Sequence, residues 1–217
     1  MSAEGEAFSD IYKVVIIGAS NVGKTALVYR YVLNELPPGL TSTVGVEFTK
    51  RVVTEKQTGQ RIQLHIWDTA GQEKFKSVTK HYYRGTDICL LTFDLSYENS
   101  FNEVHHWVSE IREYTPEGCV VVLIGNKADL PNRTVDRDKA LHFANQNGFF
   151  YHETSALWPR QTSLLKDGVA GGIEAIFDKI INQIFKSHTT KEEPHILKKE
   201  PLKVDLGYMH RRSDCEC

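Results

Sequence analysis

Apolar, β-branched runs alternate along this chain with segments whose apolar residues recur every three or four positions. YKVVIIG (12–18), DICLLTFDLS (87–96) and CVVVLIG (119–125) show little polar alternation, which predicts strands buried on both faces. VEFTKRVVTEK (46–56) and RIQLHIWD (61–68) read as two strands joined by Gln57-Thr58-Gly59-Gln60, a hairpin signal. A further strand is expected in FFYHETSA (149–156). Helical spacing predicts helices over about 23–33 and 136–146. It also predicts one continuous helix over 98–114, with Phe101, Val104, Trp107, Val108 and Ile111 on its inner face. The last helix carries Ile173, Ile176, Phe177, Ile180, Ile181 and Ile184 as a single stripe, which we read as core packing. Strands alternating with helices argue for a mainly parallel sheet covered on both faces, and the hairpin adds one antiparallel strand. Ligands in such folds sit outside the carboxyl ends of the strands.

Composition narrows this only a little. The chain has 217 residues, 41% of them hydrophobic and 25% charged, with a net charge of −2. Those values fit a globular domain with appendages and give no reason to expect nucleic acid as a partner. No apolar run approaches the roughly 20 residues that span a bilayer. The opening MSAEGEAFSD is acidic and polar, so neither a signal peptide nor a myristoyl anchor is expected. Cys89 and Cys119 fall inside apolar runs and read as buried small hydrophobes; Cys215 and Cys217 stand apart at the end of the chain.

Chemistry enters at the strand exits. Gly18-Ala19-Ser20-Asn21-Val22-Gly23-Lys24-Thr25 matches G-x-x-x-x-G-K-[ST] between a strand and a helix. Such a loop turns backbone N–H groups of Ser20 to Ala26 onto phosphate oxygens at a helix N-terminus. Lys24 adds a full positive charge, and the Thr25 hydroxyl suits Mg²⁺. Asn126-Lys127-Ala128-Asp129 follows the strand at 119–125. A carboxylate at Asp129 can accept from guanine N1–H and the 2-amino group, donors that adenine does not offer there. Ser155-Ala156 lies at the next exit, where a backbone N–H can meet guanine O6. Asp68-Thr69-Ala70-Gly71-Gln72-Glu73 follows LHIW. Asp68 is placed to hold Mg²⁺ through water, Gly71 to approach a γ-phosphate, and Gln72 to orient an attacking water.

The set GASNVGKT, TSTVGVEF, WDTAGQE, NKAD and ETSA resembles a small GTPase of the Ras superfamily, and VGVEF, IQLHIWDTAGQEKF, HYYRG and LLTFDLS resemble signature segments of the Rab family. The resemblance implies a P-loop NTPase fold, the small G domain: a six-stranded, mostly parallel sheet with one antiparallel edge strand and helices on both faces. It implies a disordered start over 1–10, a GTPase domain over 11–186 and a flexible tail over 187–217. GTP or GDP would bind Ser20, Asn21, Val22, Gly23, Lys24, Thr25, Ala26, Thr43, Gly71, Asn126, Lys127, Asp129, Ser155, Ala156 and Leu157. Mg²⁺ would lie on Thr25, Thr43 and Asp68, and Gln72 would be catalytic. Thr43 matches a switch threonine, with the two switch loops near 35–43 and 71–80. Val44, Gly45, Phe48, Trp67 and Tyr82 match an effector surface, although hairpin packing explains the three aromatics equally well. The terminal Cys215 and Cys217 match a prenylation ending. Because the tail carries a charge of only about +1, lipid rather than charge would hold the membrane. Implied partners are an exchange factor, a GTPase-activating protein, trafficking effectors, a GDP dissociation inhibitor and a prenylation escort. The expected state is a monomer on the cytoplasmic face of an intracellular membrane, cycling with cytosol.

Three departures stand out. Leu36 replaces an aromatic that packs on guanine in most relatives, and Leu157 replaces a lysine. The segment 158–171, WPRQTSLLKDGVAG, is longer than the family turn. It is either an added surface loop or a private partner site built on Trp158, Leu164 and Leu165. Two readings follow, a switch that hydrolyses GTP or a binding module whose state follows exchange. A P-loop kinase is a third, for which NKAD and the terminus have no use.

Overall fold

The structure is a computed structural model, and it describes residues 10–39, 45–56, 59–69, 82–165 and 168–190. Six strands form one sheet in the order β2-β3-β1-β4-β5-β6. They are β1 (Asp10–Ile17), β2 (Val46–Thr54), β3 (Arg61–Thr69), β4 (Ile88–Asp94), β5 (Val120–Asn126) and β6 (Phe150–Glu153). β2 runs antiparallel to β3, and every other pairing is parallel. This is the expected small G domain sheet, with β2 as its antiparallel edge strand.

Side-chain alternation along the parallel strands divides the core in two. Val15, Ile17, Cys89, Leu91, Phe93, Val121 and Leu123 face one layer, built from α2 (Glu98–Asn102), α3 (Val104–Tyr114) and α4 (Arg137–Asn147). Val14, Ile16, Leu64, Ile66, Leu90, Val122 and Ile124 face the other, built from α1 (Lys24–Leu33) and α5 (Ile173–Thr190). Both interior cysteines are buried, as their runs imply. All six residues of the final stripe are buried, and Phe177 stacks on Tyr31 of α1 at 3.7 Å between ring centroids.

The helix expected over 98–114 is in fact two. The Glu103 carbonyl accepts from His106 N at 3.0 Å, while the regular partner Trp107 N lies at 3.5 Å. This local tightening from i+4 to i+3 bonding interrupts the helix at Glu103. The inner face survives it, since Phe101, Val104, Trp107, Val108 and Ile111 are all buried. Asp136 caps α4 by accepting from the Asp138 and Lys139 amides. α5 runs to Thr190, four residues beyond the boundary at 186.

The extra segment before α5 is docked at the β6 margin of the sheet. Glu153 N donates to Val169 O, Gly171 N donates to Glu153 O, and Glu153 pairs with Ala170 in parallel. The Arg160 carbonyl accepts from Glu174 N, which satisfies an amide of the first turn of α5. A cavity of about 390 Å³ lies between β2, α5 and this segment, and its charged walls pair with each other as Arg51–Glu174 and Lys56–Asp178.

Glu153 closes β6 with a buried ion cluster. Arg133 and Arg137 both donate to it, and so does the Tyr151 hydroxyl. Burial alone would raise its pKa, but the two guanidiniums and the phenol more than reverse that and hold it at about 2. A carboxyl depressed in the folded state stabilises the fold above its unfolded pKa near 4.5 and loses that contribution as pH falls through about 2. With both arginines partly in solvent, we expect Glu153→Gln to cost about 2 kcal/mol at pH 7 in urea unfolding. It should also flatten the decline in stability between pH 4.5 and 2; an unchanged acid slope would refute the assignment.

Candidate nucleotide site

The sequence motifs converge at one end of the sheet because β1, β3, β4 and β5 are mutually parallel and end together. β1 gives way to the loop at Gly18, whose φ of 138° no L side chain adopts readily. A Cβ there would lie 2.0 Å from the Thr92 carbonyl oxygen, so only glycine lets the loop leave β1 against β4. Gly23 caps α1 with φ 93°, and a Cβ on it would meet Asn126 Nδ2 at 2.4 Å. That close approach is used: Asn126 Nδ2 donates to Val22 O at 2.7 Å and ties the Asn126–Asp129 loop to the first loop.

Lys24 is buried and donates to the Gly18 and Ala19 carbonyls at 3.0 and 2.8 Å. Burial lowers its pKa to about 8, with the Asp68 carboxylate pulling the other way. Asp68, near the end of β3, is 2% exposed, and beyond the neighbouring Thr25 side chain its carboxylate oxygens meet no hydrogen-bond partner among the described residues. Burial raises its pKa to about 6, against the neighbouring Thr25 side chain and Lys24 ammonium. A buried carboxylate whose oxygens meet little besides a threonine hydroxyl is a donor set suited to a hard divalent cation such as Mg²⁺.

On the other side, Ser155 donates to Asp129 Oδ1 and accepts from Leu157 N at 2.9 Å. Ala128 N donates to Thr154 O, which keeps the loops after β5 and β6 side by side. Lys127 has φ 63° and pairs with Asp94 at 2.6 Å. Leu36 and Leu157 are both exposed, at 42% and 60%. Ser20, Asn21, Val22, Gly23, Lys24, Thr25 and Ala26 form the loop and the start of α1. Thr43, Val44, Gly71 and Gln72 lie outside the described residues, as do Cys215 and Cys217.

The three aromatics are contiguous. Phe48 and Trp67 are cross-strand partners with ring centroids 4.8 Å apart, and Trp67 lies 5.7 Å from Tyr82. Phe48 is 44% exposed, so the group is an outward face as well as a packing cluster. His65 edges onto Phe48, and Lys13 lies over Trp67; nothing in the spacing of either residue announces this. Arg30 and Asp94 likewise carry no motif signal, because each acts through a contact distant in sequence.

The chain matches the model of the Ras family over residues 13–185. It is 41% identical over 152 residues to Ras-related protein Rab-30 of Homo sapiens, covering 70% of this chain and 74% of that protein. It is 35% identical over 192 residues to Ras-related protein rab-11.1 of Caenorhabditis elegans, covering 88% of this chain and 85% of that one.

Leu36 offers a base only an exposed aliphatic surface. An aromatic contact adds about 0.5–1.5 kcal/mol beyond area burial, so Leu36→Phe should slow release of labelled GDP by roughly two- to tenfold. Stopped-flow exchange measures this directly, and equal rates in the two proteins would dismiss the idea.

Proposed function

Since the chain belongs to the Ras family and is a Rab-type small GTPase, a GTP hydrolase that uses guanine nucleotide, we propose that the residues above run a GTP/GDP switch that recruits trafficking effectors to membranes. The observation that carries this reading is two buried opposite charges under the Gly18 and Gly23 cradle: Lys24, held by the Gly18 and Ala19 carbonyls, and the Asp68 carboxylate, which meets little besides Thr25. Buried charges with shifted pKa values cluster at sites where a ligand supplies further partners.

In this proposal the N–H groups from Ser20 to Ala26 and the Lys24 ammonium hold the β- and γ-phosphates. Thr25, Thr43 and Asp68 hold Mg²⁺, which neutralises charge on the phosphates when bound. Asn126 and Lys127 frame the base, Asp129 accepts from its N1–H and 2-amino group, and Ala156 N–H donates to O6. Leu157 covers one face. Gln72 orients the water for in-line attack on the γ-phosphorus, and Lys24 takes up developing charge. Departure of phosphate removes the contacts of Thr43 and Gly71, so 35–43 and 71–80 relax. Effectors read that change across Val44, Gly45, Phe48, Trp67 and Tyr82. An exchange factor and a GTPase-activating protein drive the two halves of the cycle. Geranylgeranyl chains on Cys215 and Cys217 hold the active form at an intracellular membrane, and a GDP dissociation inhibitor returns it to cytosol. Two chains anchor stably where one does not.

Leu36 and Leu157, both exposed, favour a second reading in which exchange rather than hydrolysis sets the state. Single-turnover GTP hydrolysis separates the two. We expect Gln72→Leu to lower the rate by at least about tenfold, or 1.4 kcal/mol; an unaltered rate would favour the exchange-driven module. In cell fractionation, the double change Cys215→Ser and Cys217→Ser should shift the protein from the membrane to the soluble fraction. Retention on membranes would exclude the lipid anchor.

A further inference from the structure

One guanidinium joins the two walls of the proposed base slot. Arg30, in the last turn of α1, donates through Nε to the Ala156 carbonyl and through Nη1 to the Asn34 carbonyl, each at 2.7 Å. Asn34 is the α1 C-cap in the left-handed conformation, and its own N–H returns to Arg30 O. Two residues later comes Leu36, the aliphatic wall. On the other side, the peptide between Ala156 and Leu157 is held at both ends. Its carbonyl is taken by Arg30, and its N–H is taken by Ser155 Oγ, which in turn donates to Asp129. A single hydrogen-bonded chain therefore runs from Asp129 through Ser155, the 156–157 peptide and Arg30 to Asn34.

From this chain we infer that Arg30 is a positioning residue for guanine recognition. It touches no base. By fixing the 156–157 peptide it sets the direction of the preceding Ala156 N–H, and by fixing Asn34 it sets where the Leu36 wall stands relative to that N–H. The guanidinium suits this role because its planar fork presents Nε–H and Nη–H in a fixed relation, whereas a lysine ammonium cannot hold two carbonyls at a set angle. The inference rests on the proposed reading in which Ala156 N–H donates to O6.

The test uses the full chain loaded with Mg²⁺ and either GDP or 6-thioguanosine diphosphate. The thio analogue keeps N1–H and the 2-amino group but replaces O6 with a weak acceptor. In the wild type, the thio analogue should leave about tenfold faster than GDP. In Arg30→Ala, GDP release should rise by about tenfold while release of the analogue changes little, so the ratio falls towards one. Arg30→Lys should fall between, because it keeps one bond of the two. A general loosening of the fold would speed both nucleotides by the same factor; that result, or no change in either, overturns the proposal. Should Arg30→Ala fail to show a cooperative melt, Arg30→Lys decides, and an unchanged ratio there overturns it. A wild type that releases both nucleotides equally would instead remove the O6 contact itself, and the role of Arg30 with it.

Discussion

Everything at the ligand end of this molecule is arranged around two opposite charges held out of water, Lys24 and Asp68. Ion desolvation is costly, and the shifts of Lys24 to about 8 and Asp68 to about 6 express that cost. Each corresponds to on the order of 3 kcal/mol against the ionised form. For Asp68 the sign is unfavourable above its unfolded pKa, so the fold loses stability as pH rises from about 4 to 6. For Lys24 the loss comes as pH falls from 10.5 to about 8. At neutral pH both charges therefore stand as a cost that a bound ligand of matching charge would offset. The neighbouring features make sense as consequences. Gly18 and Gly23 bring the loop against β4 and Asn126, the Gly18 and Ala19 carbonyls hold the ammonium, and β1 pairs with β3 so that Asp68 ends beside it.

What the sequence made legible follows from how local each feature is. The strand runs need burial on both faces and say so by themselves. In the first loop Gly18 and Gly23 both have positive φ, and a Cβ would strike the Thr92 backbone at Gly18 and the Asn126 side chain at Gly23, so both demands are written in the sequence. The Asn126–Asp129 and Ser155–Ala156 segments were legible for the same reason. The break at Glu103 was not, because Phe101, Val104 and Trp107 keep nearly the same face through one tightened turn. Nor was Arg30, whose Nε partner lies 126 residues away and leaves no periodic trace.

The longer segment before α5 shows a different kind of illegibility. Its composition, with Pro159, Gly168 and Gly171, reads as a surface loop. Its backbone instead pairs with Glu153, serves Glu174 N through the Arg160 carbonyl, and places the Arg160 side chain between Glu174 and Tyr31 O. Arg51 reaches the same Tyr31 carbonyl from β2. Tyr31 is thus held by arginines from two sides, within the turn that the Arg30–Asn34 pair spans.

The two margins of the sheet are consequently treated unequally. An edge strand offers unpaired backbone groups to any passing strand. At β6 part of that edge is taken up by Val169 and Gly171, and Glu153 is occupied by Arg133, Arg137 and Tyr151. At β2 the Phe48–Trp67–Tyr82 surface faces outward beside the edge. Aromatic side chains yield large contact area for little conformational entropy, and that is the composition of a surface suited to partners. β2 also belongs to the hairpin whose strand β3 carries Asp68 next to its last residue. A partner seated on Phe48 and Trp67 therefore touches the strand that carries the buried carboxylate, only one residue away along β3.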